Sequence, residues 1–294
     1  MTHENARYND GSQDAPKLRV GHSLWSLLKL PMNCDFDGAT EWTLDEKFAR
    51  VKAAGFEHVE CWFDGSDMDA TAEALRRHDL RFVMGHRPFS VADTRSAIEV
   101  AARLGADFVF AHLANAFTPL DEAAEIVREG RKIAADHGLP YFVEVHRGTF
   151  TETIPQALQL IERVPEIRFT ADLSHFVVVG EFYGWQDEGA LEKMRPILER
   201  TSHAHGRISN GEQVQVDVGD GTNDTAQFFV RLWAEIMRNW KQGAQLGDVF
   251  PFSSELGPPR YAMTLPDGRE FSDRWQQSLV MKKLAEQAWA NASS

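Results

Sequence analysis

The chain has 294 residues, 43% of them hydrophobic, enough for a sizeable core in one large domain or two smaller ones. Acidic residues outnumber Lys and Arg by 44 to 31, and the net charge of -13 disfavours nucleic acid or an anionic membrane as a partner. Two cysteines, Cys34 and Cys61, make no disulfide framework, and no run approaches the ~20 apolar residues of a membrane span, so a soluble, cytoplasmic protein is expected.

Residues 1–17 are polar, lack an apolar stretch, and read as a disordered tail, not a signal peptide. From residue 18 short apolar runs alternate with amphipathic ones. Strands are predicted over 18–24, 58–63, 81–85, 107–113, 141–145, 168–172, 202–207 and 249–254. Helices are predicted between and after them, over 43–55, 67–78, 90–104, 119–137, 153–163, 186–200, 225–241 and 272–290. The first is capped by the Thr43 hydroxyl ahead of Asp45 and Glu46. Eight strand–helix units in strict order imply parallel strands joined by crossovers, and ~250 residues is the size of a single (β/α)8 TIM barrel. A doubly wound open sheet is the alternative, weakened by the lack of Gly-x-Gly-x-x-Gly after the first strand. No domain linker interrupts 18–294. Three connections are extended, after strands one, seven and eight (30–41, 208–223, 256–271). All three belong to the C-terminal face, where barrel active sites are built.

Four side chains close four predicted strands: Glu144, Asp172, His205 and Glu255. A carboxylate buried at such a point is costly unless it is paired or bound to a cation. Three carboxylates and one imidazole suit a single divalent metal, with Mn²⁺ favoured and Mg²⁺, Co²⁺ or Zn²⁺ as alternatives. Phe142, Glu144 and His146 share one side of their strand; the plainer reading of Glu144 is a structural ion pair with an arginine. Asp172 and His175 converge only if the chain leaves the strand after Asp172. His203 and His205 share a face, and His205, nearer the C-terminal rim, is the favoured ligand. Arg207 follows as a fork for a substrate oxygen. Further rim candidates are His22, Trp25, Glu60, Trp62, His86 and His112, together a pocket of imidazole and indole. Gly257 could let backbone approach a ligand closely. For a phosphate only Arg207 and Arg260 offer themselves.

With Glu144, the Asp-x-x-His of Asp172 and His175, the His-x-His of His203 and His205, and Glu255 in hand, the chain resembles the xylose-isomerase-like TIM-barrel superfamily of sugar and sugar-phosphate isomerases and epimerases, over residues 18 to 290. The resemblance implies metal ligation by Glu144, Asp172, His205 and Glu255. It also implies substrate contact by His175 and by Arg207, which follows the histidine after only one residue, closer than in the ketose epimerase pattern. His112, Glu60, His22 and Trp25 are the remaining candidates for substrate contact. The implied chemistry is proton transfer next to a carbonyl through an enediolate, with Glu144 and Glu255 removing and returning the proton. His146, two residues after Glu144, is a further base and keeps open a lyase or dehydratase acting on an oxidised sugar, glycoside or cyclitol by β-elimination. The expected partner is a small carbohydrate, with helix surfaces that leave room for a homo-oligomer or a second subunit. A nuclease of the AP-endonuclease type is disfavoured because Val216-Asp217-Val218-Gly219 lacks that family's added histidine. A noncatalytic sugar-binding barrel is disfavoured by the intact quartet.

Overall fold

The computed structural model describes residues 6–65, 67–182 and 188–293. Eight parallel strands close on themselves: β1 (Lys17–Ser23), β2 (His58–Trp62), β3 (Arg81–His86), β4 (Val109–Ala111), β5 (Tyr141–Val145), β6 (Phe169–Ala171), β7 (Thr201–Gly206) and β8 (Asp248–Ser254). Each pairs with the next, and β8 pairs with both β7 and β1, so no edge of the barrel is left open. The crossover helices are α1 (Leu44–Ala53), α2 (Met68–Arg77), α3 (Val91–Leu104), α4 (Leu120–Asp136), α5 (Ile154–Arg163), α6 (Glu188–Leu198), α7 (Asp224–Lys241) and α8 (Arg274–Asn291). The TIM barrel expected from the alternation is therefore present. The start of the sixth expected helix, at Gln186, lies outside the described residues.

Local chemistry explains the boundaries. Thr43 and Glu46 form a reciprocal capping box at α1, and Ser90, Thr153 and Asn223 cap α3, α5 and α7. Two apolar clusters follow from strand alternation. The larger joins the outer faces of the strands to the helices. The smaller fills the barrel interior with Val83, Phe108, Phe110, Phe142 and Val249. At Gly21 the inward face is kept empty: a Cβ there would meet the His58 imidazole at 2.2 Å.

Residues 6–16, read from sequence as part of a disordered tail, fold against the N-terminal end of the barrel. Tyr8 and Asn9 pair antiparallel with Val249 and Asp248, and Arg7 donates from Nη2 to Trp240 O at 3.1 Å. Tyr8 is buried there, and Asp107 joins Arg19 Nη1 (2.8 Å) to Arg81 Nε (3.0 Å). An aromatic ring and an arginine anchor a segment whose average composition is polar. Residues 1–5 lie outside the described residues.

A short helix, Leu173–Val179, begins directly after β6 and was not expected. Its sequence, Leu-Ser-His-Phe-Val-Val-Val, is rich in β-branched residues that favour strands. Asp172 caps it by accepting from Ser174 N at 3.1 Å.

Candidate metal centre and substrate cavity

The C-terminal ends of β5 to β8 bring Glu144, Asp172, His205 and Glu255 together. One ligand atom from each lies within 4.8 Å of the others, and all four residues are buried. Strand parity does this for Glu144, His205 and Glu255. Asp172 joins them as the chain turns from β6 into the short helix, and that same turn brings His175 Nε2 within 3.4 Å of Asp172 Oδ2.

His205 has two distinct nitrogens in use. Nδ1 lies 2.9 Å from Glu255 Oε2 and 3.3 Å from Glu144 Oε1, while Nε2 lies 2.8 Å from Glu60 Oε2. Of the two neighbouring histidines, His205 is the one that reaches Glu144 and Glu255. His203 sits a layer lower, with Nδ1 3.1 Å from Thr170 Oγ1 and Nε2 3.0 Å from Ser253 Oγ. His58 Nε2 reaches the same Ser253 hydroxyl at 2.8 Å, completing a polar layer beneath the quartet.

The site fits a divalent cation on its own chemistry. Glu144 Oε1 and Oε2, Asp172 Oδ2 and His205 Nδ1 are buried, and the short contacts of Glu144 and His205, to each other and to His112 and Glu255, are between ionisable groups. Buried acceptors of this kind are costly unless a cation compensates them. Protons show the same imbalance. Burial, opposed by Arg207 and reinforced by Glu255, pushes Asp172 up to about 6. Burial likewise raises Glu60. Burial favours neutral His205, but Glu60, Glu144 and Glu255 outweigh it and hold the imidazolium well above the usual histidine range. Glu144 is raised by burial, yet His112 and His205 bring it well below the usual carboxylate range. A bound cation would displace this compensation by protons.

A cavity of about 510 Å³ opens from the quartet toward solvent, lined by Glu255, His112 and His146 at one side and by Trp25, Trp62 and Tyr261 above them. His112 Nε2 lies 2.8 Å from Glu144 Oε2. The imidazole of His146 lies between those of His112 and His175, with ring centroids 4.1 and 3.8 Å away. Burial first, then His112, keeps His146 well below the usual histidine range and therefore neutral. His175 is fully buried and neutral for the same first reason, with His146 the next contributor.

Several expected substrate contacts are corrected. His22 points outward from β1, against Phe56 (5.2 Å) and Trp275 (5.8 Å), because Gly21 and Ser23 hold the inward positions. His86 likewise points outward, toward Tyr141. Glu60 points inward but lies beneath the quartet, bound to His205 and 3.3 Å from His203, and does not line the cavity. Arg207 is partly engaged within the site: Nη2 and Nε donate to Glu255 Oε2 and O, each at 2.9 Å, and Nε lies 3.5 Å from Asp172 Oδ2, while Nη1 is buried without a hydrogen-bond partner. Arg260 is exposed and outside the cavity. Gly257 makes room for a side chain, since a Cβ there would sit 2.1 Å from the Trp25 ring. Trp25 and His112 line the cavity.

Tyr261 is the residue the sequence reading missed. Its hydroxyl lies 3.2 Å from His146 Nε2, its ring meets Trp25 edge-on at 5.0 Å, and the Arg207 guanidinium lies 4.5 Å from its centroid. The only signal for it was the length of the loop after β8.

A family model for the xylose isomerase-like TIM barrel matches residues 48–242. The chain belongs to this family. No curated protein sequence matches it. Solved structures that resemble this family member include D-allulose 3-epimerase from Methylomonas sp. in complex with D-allulose, at 16% identity and TM-score 0.60, covering 94% of this chain and 99% of that one. A xylose isomerase-like TIM barrel protein from Mycobacterium smegmatis in complex with magnesium is 14% identical with TM-score 0.60, covering 94% and 98%. The probable 3-DHS dehydratase AsbF from Bacillus anthracis is 17% identical with TM-score 0.52, covering 91% and 98%. At these identities the likeness is one of fold.

Proposed function

We propose that this protein is a divalent-metal-dependent sugar isomerase or epimerase that moves a proton next to a carbonyl, through an enediolate. The observation that carries this is the convergence of Glu144, Asp172, His205 and Glu255 within 4.8 Å, with Glu255 lining a cavity. A divalent cation held by these four would polarise a substrate carbonyl and acidify the neighbouring C–H. Glu255 faces the cavity and Arg207 keeps its carboxylate oriented, so it is a base in position to take or return a proton. Glu144 is covered by His112, which assigns it first to ligation. Neutral His146, at the cavity wall with Tyr261 on its Nε2, is the partner group for the second proton. A cytoplasmic location and a carbohydrate ligand accord with this reading, and among the described residues no helix is long and apolar enough to cross a membrane.

His146 also favours a second reading, elimination from an oxidised sugar, since a base on that wall reaches a different carbon from Glu255. One of the similar folds is described as a probable dehydratase. Incubation of metal-loaded protein with keto-sugars in D₂O, followed by NMR, tests both. Deuterium at the carbon beside the carbonyl with retained carbon skeleton and oxygens supports isomerisation; loss of a β-substituent supports elimination. Turnover without solvent exchange would sink the proton-transfer reading. Glu144→Gln and Glu255→Gln should each abolish turnover, and full activity in either would remove that residue from the site.

A further inference from the structure

We infer that the substrate joins its carbonyl-bearing, oxygen-rich part to a flat apolar group, and that Leu24, Trp25, Leu28, Trp62 and Met68 receive that group. This rests on the carbonyl proton-transfer reading above.

The cavity has two chemistries. Ends of β4, β5 and β8 supply His112, His146 and Glu255, groups that hydrogen-bond or transfer protons. Segments that follow or end β1 and β2 supply Leu24, Leu28, Cys61 and Met68, with Asp64 and Thr71 the polar residues among them. Between them stand the rings of Trp25, Trp62 and Tyr261. Leu28 keeps 41% of its surface exposed at this cavity. The volume of about 510 Å³ lies in the ~300–1,000 Å³ range of cavities that hold drug-sized ligands.

A free sugar carries a hydroxyl on nearly every carbon. Pressed against Leu24, Leu28 and Met68, most of those hydroxyls would lose water, with only Asp64 and Thr71 in that part of the lining to replace it. A planar apolar substituent loses nothing there and stacks on indole. A phosphate is a poorer fit. Among the described residues lining the cavity, Arg87 is the one guanidinium, and it already donates to Gly148 O at 2.8 Å and Ala114 O at 3.3 Å.

The test is a matched pair of keto-glucosides, one with a phenyl and one with a methyl aglycone, titrated calorimetrically into metal-loaded wild-type protein. The phenyl compound should bind about ten- to hundredfold more tightly, the gain expected from burying one aromatic ring. Leu28→Asn, at a part-exposed position that tolerates substitution, should shrink that ratio severalfold. Equal affinity of the pair overturns this inference and leaves the carbonyl reading standing. Failure of both compounds to bind the metal-loaded protein overturns both.

Discussion

The two ring nitrogens of His205 face carboxylates on opposite sides: Nδ1 toward Glu144 and Glu255, Nε2 toward Glu60. Once a cation displaces the imidazolium's second proton, Nε2–H donates to Glu60 and the lone pair of Nδ1 is left for the centre of the quartet. Such an outer carboxylate fixes the tautomer and raises the basicity of its histidine. Glu60→Gln keeps the volume but weakens the acceptor, and should lower metal affinity about 10–100-fold. Calorimetric titration of Mn²⁺ into metal-free variant, with circular dichroism to verify the fold, measures this. Unchanged affinity would reduce Glu60 to packing. At this scale the sequence was readable where strand parity alone decides, as for Glu144, His205 and Glu255. It misled where polarity cannot distinguish the barrel interior from the strand–helix layer: His22 and Glu60 both close a strand, yet one points outward and the other points in beneath the site.

Eight strands and eight crossovers were legible because period and capping are local, and each predicted strand overlaps an observed one. Leu173–Val179 was hidden because its helix rests on the Asp172 cap and full burial of His175 and Phe176, against its own β-branched propensity. Tyr261 was hidden because loops carry no period. The β8–α8 loop meets the segment after β1 through Gly257 and Trp25, with Gln215 from the β7–α7 loop holding Gly257 N at 2.7 Å and Gly257 O at 3.1 Å. Gly257→Ala should therefore push the Trp25 ring out of place, since the added carbon would lie 2.1 Å from it. The expected result is a loss of ~1–3 kcal/mol of stability from overpacking, together with a raised KM and unaltered metal stoichiometry. Denaturant unfolding and steady-state kinetics of the same variant test this; wild-type KM would show that the ring does not touch substrate.

Two buried demands act on the molecule as a whole, and they are separable. The first is the uncompensated charge of the quartet. A metal that binds only the folded state adds ~2.7 kcal/mol at about 100 times its Kd, which for a chain of this size raises Tm by about 4 °C. Thermal unfolding with EDTA and with added Mn²⁺ should differ by at least that amount, and coincident curves would mean that the quartet holds no metal. The second demand lies outside the barrel wall. Burial presses the His22 imidazole down to about 4 against the backbone contact to Ser23, with a smaller push from Arg274, and burial presses His86 down to about 3. Both rings leave Nε2 without a partner. From the ordinary histidine value of about 6.5 down to these folded values, the unfolded chain binds more protons than the native one. These groups therefore withdraw stability as pH falls through that window. Acidic side chains contribute in the same range, Asp172 with the opposite sign when metal is absent, so the comparison belongs in metal-saturated protein and between variants. His22→Leu removes one of the two rings that must stay neutral. Its Tm should fall less steeply than that of wild type between pH 6.5 and about 4, whatever its offset at pH 7. Parallel curves would mean that the His22 proton equilibrium is the same in the folded and unfolded chain, and that its burial against Phe56 and Trp275 is relieved before the molecule melts.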